Sequence, residues 1–176
     1  VPLGGPFSLH KVEVIRSWLL ANCPGWAHFK VVPFSRYLGI MMGPAAGQAS
    51  WRDPMLKYVE RSAAIAACSG PPAVCTWLHN TRCTPVLQYV GQVSVPPSRL
   101  HAVSMVAFNR VLKAPGSFVS EVVGTSLAEA GLLAFSSPSV GCLAALLRTA
   151  IDGKLKWEPL VDELVQRNSE HVVLRR

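Results

Sequence analysis

Apolar residues near the start of the chain recur at helical spacing. Val12, Ile15 and Leu19 share one helix face, and Ser8 stands before them as a candidate N-cap. The pattern therefore predicts a first helix over Leu9–Ala21, which a Pro-Gly pair ends shortly afterwards.

Two short extended runs follow this helix, over His28–Val32 and Arg36–Met42. The link Pro33–Ser35 between them has hairpin length, so the pattern predicts a β-hairpin. Gly39 would lie inside the second strand, where a glycine marks a bulge or the close approach of another backbone.

A long helix is predicted over Trp51–Cys68, preceded by Ser50 and Asp53 as a pair that resembles a capping box. The apolar positions expected to face inward are Leu56, Val59 and Ala63.

Prolines and glycines divide the rest of the chain into shorter helical segments. The first should begin near Pro72 and be kinked or split at Pro85. The predicted segments are Ala73–Val93, Ser98–Lys113, Ser117–Val123, Leu127–Ala134, 137–151 and Glu158–Asn168. The expected fold class is α+β, mainly α, with a short β-hairpin followed by a helical bundle from about residue 50.

Charge and composition narrow the function classes. Charged residues make up 15% of the chain, below the roughly 25% of an average globular protein, which argues against disorder and favours apolar surface that lies against a partner. The net charge of +7 permits a polyanionic partner.

Other sequence features concern compartment and extent. Five cysteines without tight spacing favour a reducing, intracellular compartment. No apolar run reaches the roughly 20 residues that a membrane-spanning helix needs, so no membrane partner is expected. The chain starts at Val1 in a strand-like segment, so we expect a fragment or a processed product.

Acidic residues are too few for metal-dependent phosphoryl transfer. The aspartates are Asp53, Asp152 and Asp162. Two-metal catalysis needs carboxylates that bracket ions about 4 Å apart, whereas Asp53 is explained as a helix-cap acid and the adjacent Asp162 and Glu163 point to different helix faces. The chain alone is therefore not expected to be a nuclease or a polymerase.

Cys75, His79 and Cys83 form a candidate zinc pattern, with Cys68 upstream. Eight residues of helix rise about 12 Å, which is too far for three ligands that must lie about 2.0–2.3 Å from one ion. Buried cysteines and a helix-face histidine are the commoner explanation, and we expect no cofactor in this chain.

Cationic and aromatic residues alternate between residues 26 and 61. The cations are Lys30, Arg36, Arg52, Lys57 and Arg61, and the aromatic residues are Trp26, Phe34, Tyr37, Trp51 and Tyr58. Such cations contact phosphates and such rings stack on bases or sugars in nucleic-acid complexes. The alternative, in which the rings are core and the cations a solvated face, stays open at this stage.

Several short motifs follow one another in order along residues 36–97. They are Arg36-Tyr37-Leu38-Gly39-Ile40, Gly43-Pro44, Trp51-x-x-Pro54-x-x-Lys57-x-x-x-Arg61, Asn80-Thr81, Leu87-x-Tyr89-x-x-Gln92 and Val95-Pro96-Pro97. In order and spacing they resemble the reverse transcriptases of non-LTR (LINE-type) retrotransposons, in the stretch after the catalytic aspartates. The resemblance covers roughly residues 1–115, and Val1-Pro2-Leu3 resembles the end of the strand that follows the palm's active-site hairpin.

The resemblance implies roles for the parts of the chain that it covers. In that family an RNA template directs DNA synthesis in a cleft between fingers, palm and thumb. Residues 1–49 would be the end of the palm with a hairpin like the primer grip, and 50–115 thumb-like helices. Residues 116–176 lie beyond the resemblance and are expected to form a further helical C-terminal region. The implied nucleic-acid-binding residues are Arg36, Tyr37, Leu38 and Gly39 in the grip, and Lys57 and Arg61 in the first thumb helix.

The sequence also departs from the family's pattern. The catalytic Asp-Asp motif would fall before Val1 and is absent, and His79 stands where the family often has an aromatic residue before Asn80-Thr81. We therefore expect a part of an RNA-directed DNA polymerase that is not catalytic alone, with Mg²⁺ bound in the parent enzyme. The expected partners are the RNA template, the DNA primer or RNA–DNA hybrid, and the missing palm and fingers. The alternative is a helical protein-interaction module without a nucleic-acid role.

Overall fold

The computed structural model describes residues 8–43, 45–115, 118–154, 158–159 and 161–162. Its α-helices are α1 (Leu9–Asn22), α2 (Ala49–Ala67), α3 (Pro72–Leu78), α4 (Thr84–Gly91), α5 (Arg99–Val111), α6 (Glu121–Ser126) and α7 (Pro138–Asp152). The strands are β1 (Ser35–Tyr37) and β2 (Ile40–Met42), and a π-helical turn covers His79–Cys83. The predicted α+β, mainly α class is confirmed.

Some predicted elements fall outside this description. The strand end expected at Val1–Pro6 lies outside the described residues, as does most of the helix expected over Glu158–Asn168. The described chain divides into two compact units, the first ending at Arg52 and the second beginning at Asp53.

The first unit begins with α1, which forms where the sequence predicts it. The Ser8 hydroxyl accepts a hydrogen bond from the Lys11 backbone N–H at 3.3 Å, which caps the helix. None of the residues of α1 is buried, and Leu9 is 84% and Leu20 63% exposed. The helix therefore displays apolar side chains that the first unit does not cover.

The hairpin turns at a different place from the prediction. Strands β1 and β2 pair antiparallel, with Tyr37 opposite Ile40, so Leu38 and Gly39 form a two-residue turn. Both residues have positive φ, 47° and 86°, which is the pattern of a type I′ turn. The expectation of Gly39 inside a strand was wrong, as was the strand over His28–Val32, because a glycine that can adopt positive φ sets the turn.

Helix α2 begins two residues earlier than predicted. Because the helix starts at Ala49, Ser50 lies inside its first turn and its hydroxyl donates to the Met41 carbonyl at 3.1 Å. The predicted capping box with Asp53 is therefore wrong. The first turn is held instead by backbone bonds such as Ala49 N–H to the Ala46 carbonyl at 2.8 Å.

The buried face of α2 also differs from the prediction. Leu56 is 58% and Val59 39% exposed, and Ala63 is exposed as well. The buried positions of α2 in the second unit are Met55, Tyr58, Ser62 and Ile65. Both sets have helical spacing. The set that contains Tyr58 is the buried one, because its ring packs in the core and its hydroxyl is hydrogen-bonded there.

The helix predicted over Ala73–Val93 is split, as expected, close to Pro85. Pro72 occupies the first position of α3, and α4 has Pro85 near its start. In a regular α-helix the proline ring would clash with the carbonyl one turn earlier. The turn before Pro85 therefore has wider, π-helical hydrogen bonding. The Thr84 N–H accordingly bonds to the His79 carbonyl, five residues back.

Helices α4 and α7 approach closely through small residues. A β-carbon added to Gly91 would lie 2.8 Å from Cys142 Cβ and 2.9 Å from Cys142 Cα. Ser137 caps α7 by accepting from the Val140 N–H at 3.3 Å, and Pro138 follows at the first helical position. The absence of a side chain at Gly91 therefore sets the distance between the two helices.

Replacing Gly91 by alanine should destabilise the second unit, because the added methyl group would push against the backbone of α7. We expect Gly91→Ala to lower the free energy of unfolding by roughly 1–3 kcal/mol, measured by urea denaturation. Gly70→Ala is the matched control, since its new β-carbon would meet only Cys75 Sγ at 3.6 Å. Equal stability of the two variants would contradict the close contact.

Candidate nucleic-acid interface

The hairpin places four of the predicted site residues together. Arg36 lies on β1 next to Tyr37, and Leu38 and Gly39 form the turn. All four are exposed, Tyr37 by 63% and Leu38 by 74%. The turn therefore presents an aromatic ring, an apolar side chain and a bare glycine backbone at one exposed tip.

The other two predicted site residues lie on α2, in the second unit. Lys57 and Arg61 are both exposed and stand one helical turn apart. The Arg61 guanidinium donates from Nη1 to the Arg82 backbone carbonyl at 2.8 Å. We call Lys57 and Arg61 the α2 cationic face. The bond to the Arg82 carbonyl holds Arg61 against the π-helical turn.

The structure thus forms two groups of predicted residues. The hairpin group belongs to the first unit and the α2 cationic face to the second. All residues of a group therefore lie in the same unit.

A buried polar and aromatic cluster lies beneath α2. The Tyr58 hydroxyl and His79 Nε2 are hydrogen-bonded across 2.9 Å, and both side chains are fully buried. The His79 ring also packs against Phe135, with ring centroids 4.8 Å apart, and Phe135 packs against Phe108 at 3.8 Å. We call these four residues the Tyr58–His79 cluster.

Burial keeps the titratable members of this cluster neutral. It raises the pKa of Tyr58 far above its ordinary value and lowers the pKa of His79 to about 4. At pH 7 the imidazole therefore behaves as an uncharged ring between two aromatic neighbours.

Asn80 ties the same region to a distant segment. Its side-chain amide donates to the Ala134 carbonyl at 2.8 Å, and its side-chain oxygen accepts from the Ser136 N–H at 3.0 Å. Asn109 does the same for Val119, with bonds of 3.1 and 3.0 Å. Each side-chain amide thus forms hydrogen bonds with backbone groups of a loop, as a neighbouring backbone would in a helix or sheet. These bonds fix the course of the two loops.

Sequence reasoning missed the Tyr58–His79 cluster. It treated His79 as a candidate metal ligand and assigned no role to Tyr58 beyond a stacking ring or core. The signal that could have found the pair is the combination of a tyrosine on one amphipathic face with a histidine at an aromatic position. Only the fold brings them together, since 21 residues separate them.

The candidate zinc residues are explained by packing. Cys75, His79 and Cys83 are all buried, and the Cys75 thiol points to backbone carbonyls of Ile65 and Gly70. In the part of the chain that the structure describes, no group of three histidine, cysteine or acidic side chains could hold a metal ion.

The lowered pKa of His79 predicts acid sensitivity. Between about pH 6.5 and pH 4 the unfolded chain binds a proton that the folded chain rejects, so stability falls as pH falls. A shift of this size corresponds to roughly 3 kcal/mol. We expect the wild type to lose that much more unfolding free energy across this range than Tyr58→Phe/His79→Phe, in urea titrations at each pH.

The double phenylalanine variant removes both hydrogen-bonding groups together, so neither is left buried without a partner. His28→Phe is the control, because it makes the same substitution at an exposed histidine outside the cluster. Parallel pH profiles for the wild type and the double variant would show that His79 is not the acid-sensitive group.

Within the described residues no helix combines the length and apolar character that crossing a membrane requires.

Comparison with known proteins returns no relative: no protein-family model, curated protein or solved structure matches this chain.

Proposed function

We propose that this chain is part of a non-LTR retroelement reverse transcriptase, in which it positions the primer and the RNA–DNA hybrid for a catalytic palm. The observation that carries the proposal is the two-sided character of α2. One face is buried through Tyr58 and its neighbours, while Lys57 and Arg61 stand exposed. A firmly packed helix that displays cations suits a surface that contacts phosphates.

The spacing of these cations supports contact with a nucleic-acid backbone. Lys57 and Arg61 have β-carbons about 5–6 Å apart on an ideal helix, so both can face one duplex strand. Arg61 uses one of its five N–H donors on the Arg82 carbonyl and keeps others for phosphate oxygens. Recognition through phosphates and shape is the usual way in which proteins bind A-form-like duplexes.

The motif residues of the resemblance have clear packing roles in the second unit. His79 takes the place of an aromatic residue and acts as one, because it is buried, neutral and packed on Phe135. Asn80 holds the 134–136 segment, and Leu87 is fully buried. These packing roles support a helical framework shared with the family. Such a framework would be kept if the motifs retain their order and only His79 departs from them.

The hairpin supports a grip for the primer. Gly39 has no side chain and lies in an exposed turn, so a primer strand could approach its backbone closely. Tyr37 and Leu38 precede Gly39 and are exposed, so they can pack on a sugar or base. Arg36 supplies a positive charge beside them for a phosphate.

The proposal also names partners outside this chain. The palm and fingers of the parent enzyme supply the catalytic aspartates and the Mg²⁺ ions that those aspartates bind. The uncovered apolar side chains of α1, such as Leu9 and Leu20, suit contact with that palm. All five cysteines are free, which supports the intracellular compartment that a retroelement enzyme needs.

A helical protein-interaction module is the second candidate. It is favoured by apolar side chains around α6, where Phe118 is 82% and Val122 73% exposed. It leaves the α2 cationic face without a role.

Charge removal on α2 tests the proposal. We expect the double variant Lys57→Gln/Arg61→Gln to bind a short RNA–DNA hybrid more weakly, with the slope of log affinity against log salt reduced by about 2, since each phosphate contact contributes roughly 0.9. Both positions are exposed on α2, so circular dichroism should show the wild-type helical content for this variant. Fluorescence anisotropy across a salt series gives both quantities.

Arg148→Gln/Lys154→Gln is the matched control, because it removes one exposed arginine and one exposed lysine from the region of α7. This control should keep the wild-type slope. If both double variants lose the same affinity, or if neither loses any, the α2 cationic face does not hold the hybrid.

A further inference from the structure

Three consecutive turns of the first unit bring exposed aromatic rings together. The Trp26 and Phe29 rings are stacked, with centroids 5.7 Å apart and planes 20° from parallel. The His28 and Phe29 rings are nearly perpendicular, with their centroids 4.7 Å apart. We call Trp26, His28 and Phe29 the aromatic platform.

The backbone fixes the platform in place. The Trp26 N–H bonds to the Cys23 carbonyl at 2.8 Å, and the Phe29 N–H bonds to the Trp26 carbonyl at 3.0 Å. Such successive turns leave the two ring-bearing residues little freedom. Even so, Trp26 is 60% and Phe29 52% exposed, so their stacked rings are presented to solvent rather than used as core.

The charge balance of the first unit indicates the kind of partner. Residues 1–52 carry five cationic side chains and one acidic side chain, Glu13, whereas the rest of the chain carries twelve cations and nine acids. Lys30 is exposed and directly follows Phe29. The five cations are Lys11, Arg16, Lys30, Arg36 and Arg52.

We infer that the aromatic platform binds an unpaired base of single-stranded nucleic acid, which stacks on the exposed ring of Trp26 while neighbouring phosphates meet the cations of the same unit. A base that stacks on a protein needs an accessible ring and cations for its phosphates. Trp26 and Phe29 supply exposed rings, and the exposed Lys30 directly follows Phe29. A duplex offers no such base, since its bases are already stacked. The platform shares no residue with the α2 cationic face, so the two are tested independently.

A nucleic-acid strand suits this surface better than a protein. The centres of protein interfaces are depleted of charge and of lysine in particular, whereas the exposed Lys30 directly follows Phe29 and the first unit carries five cations against one acid. Base stacking tolerates any base, so the platform should bind with little sequence preference.

Binding of a ten-nucleotide oligouridine to the full chain tests the inference. Trp26→Leu keeps an apolar side chain but removes the π face, so we expect affinity to fall about tenfold with the salt slope unchanged, because stacking releases no counterions. Trp26→Tyr should restore affinity to within about threefold of the wild type. Circular dichroism first shows that each variant keeps the wild-type helical content.

Trp18→Leu is the matched control, since Trp18 is a tryptophan of the same unit with 50% exposure. It should bind oligouridine like the wild type. The inference is overturned if Trp26→Leu binds like the wild type, or if Trp18→Leu loses as much affinity. It is also overturned if Trp26→Leu abolishes self-association in sedimentation and leaves oligouridine affinity unchanged, since the platform would then be a protein contact.

If the α2 variants lose hybrid binding while oligouridine binding still depends on Trp26, the result would support both the proposed function and this inference. Trp26-dependent binding without any effect of the α2 variants would keep this inference and remove the proposed function.

Discussion

The contact between Tyr58 and His79 is the interaction on which the second unit depends. It joins α2 to the π-helical turn through a hydrogen bond of 2.9 Å between two fully buried side chains. A buried hydrogen bond is costly to leave unmade, so it specifies how α2 is rotated as well as where it lies. The next residue, Asn80, extends the same turn to the 134–136 segment, and Phe135 closes over the imidazole.

The rotation of α2 decides which side chains meet solvent. Once Tyr58 points inward, Lys57 and Arg61 are exposed, and Leu56 is exposed with them. The Arg61 bond to the Arg82 carbonyl then links the exposed face back to the π-helical turn that holds His79. The rotation of α2 therefore determines both the buried core and the exposed cationic face. A substitution at Tyr58 or His79 would alter both.

Periodicity and caps predict α1, α5 and α7 well because these signals are local. The helices expected over Ser117–Val123 and Leu127–Ala134 were wrong, since α6 covers Glu121–Ser126 and only a 3₁₀ turn follows at Leu127–Ala130. Ser8 caps α1 as the sequence predicts, and α7 begins within one residue of its predicted start. Pro85 marks the split between α3 and α4. The inward face of α2 could not be predicted, because two apolar stripes fit the helical period and a partner 21 residues away selects one. The hairpin was misplaced since positive φ at Leu38 and Gly39 outweighed the length of the apolar runs.

Protection of Lys57 from acylation tests the central claim most directly. The chain is treated with an amine-reactive reagent with and without saturating RNA–DNA hybrid, and the modification of each lysine is measured by mass spectrometry. If α2 presents its cations to the duplex backbone, Lys57 should become several-fold less reactive while the exposed Lys154 keeps its reactivity. Equal reactivity of Lys57 in the free and the hybrid-bound chain would contradict the account.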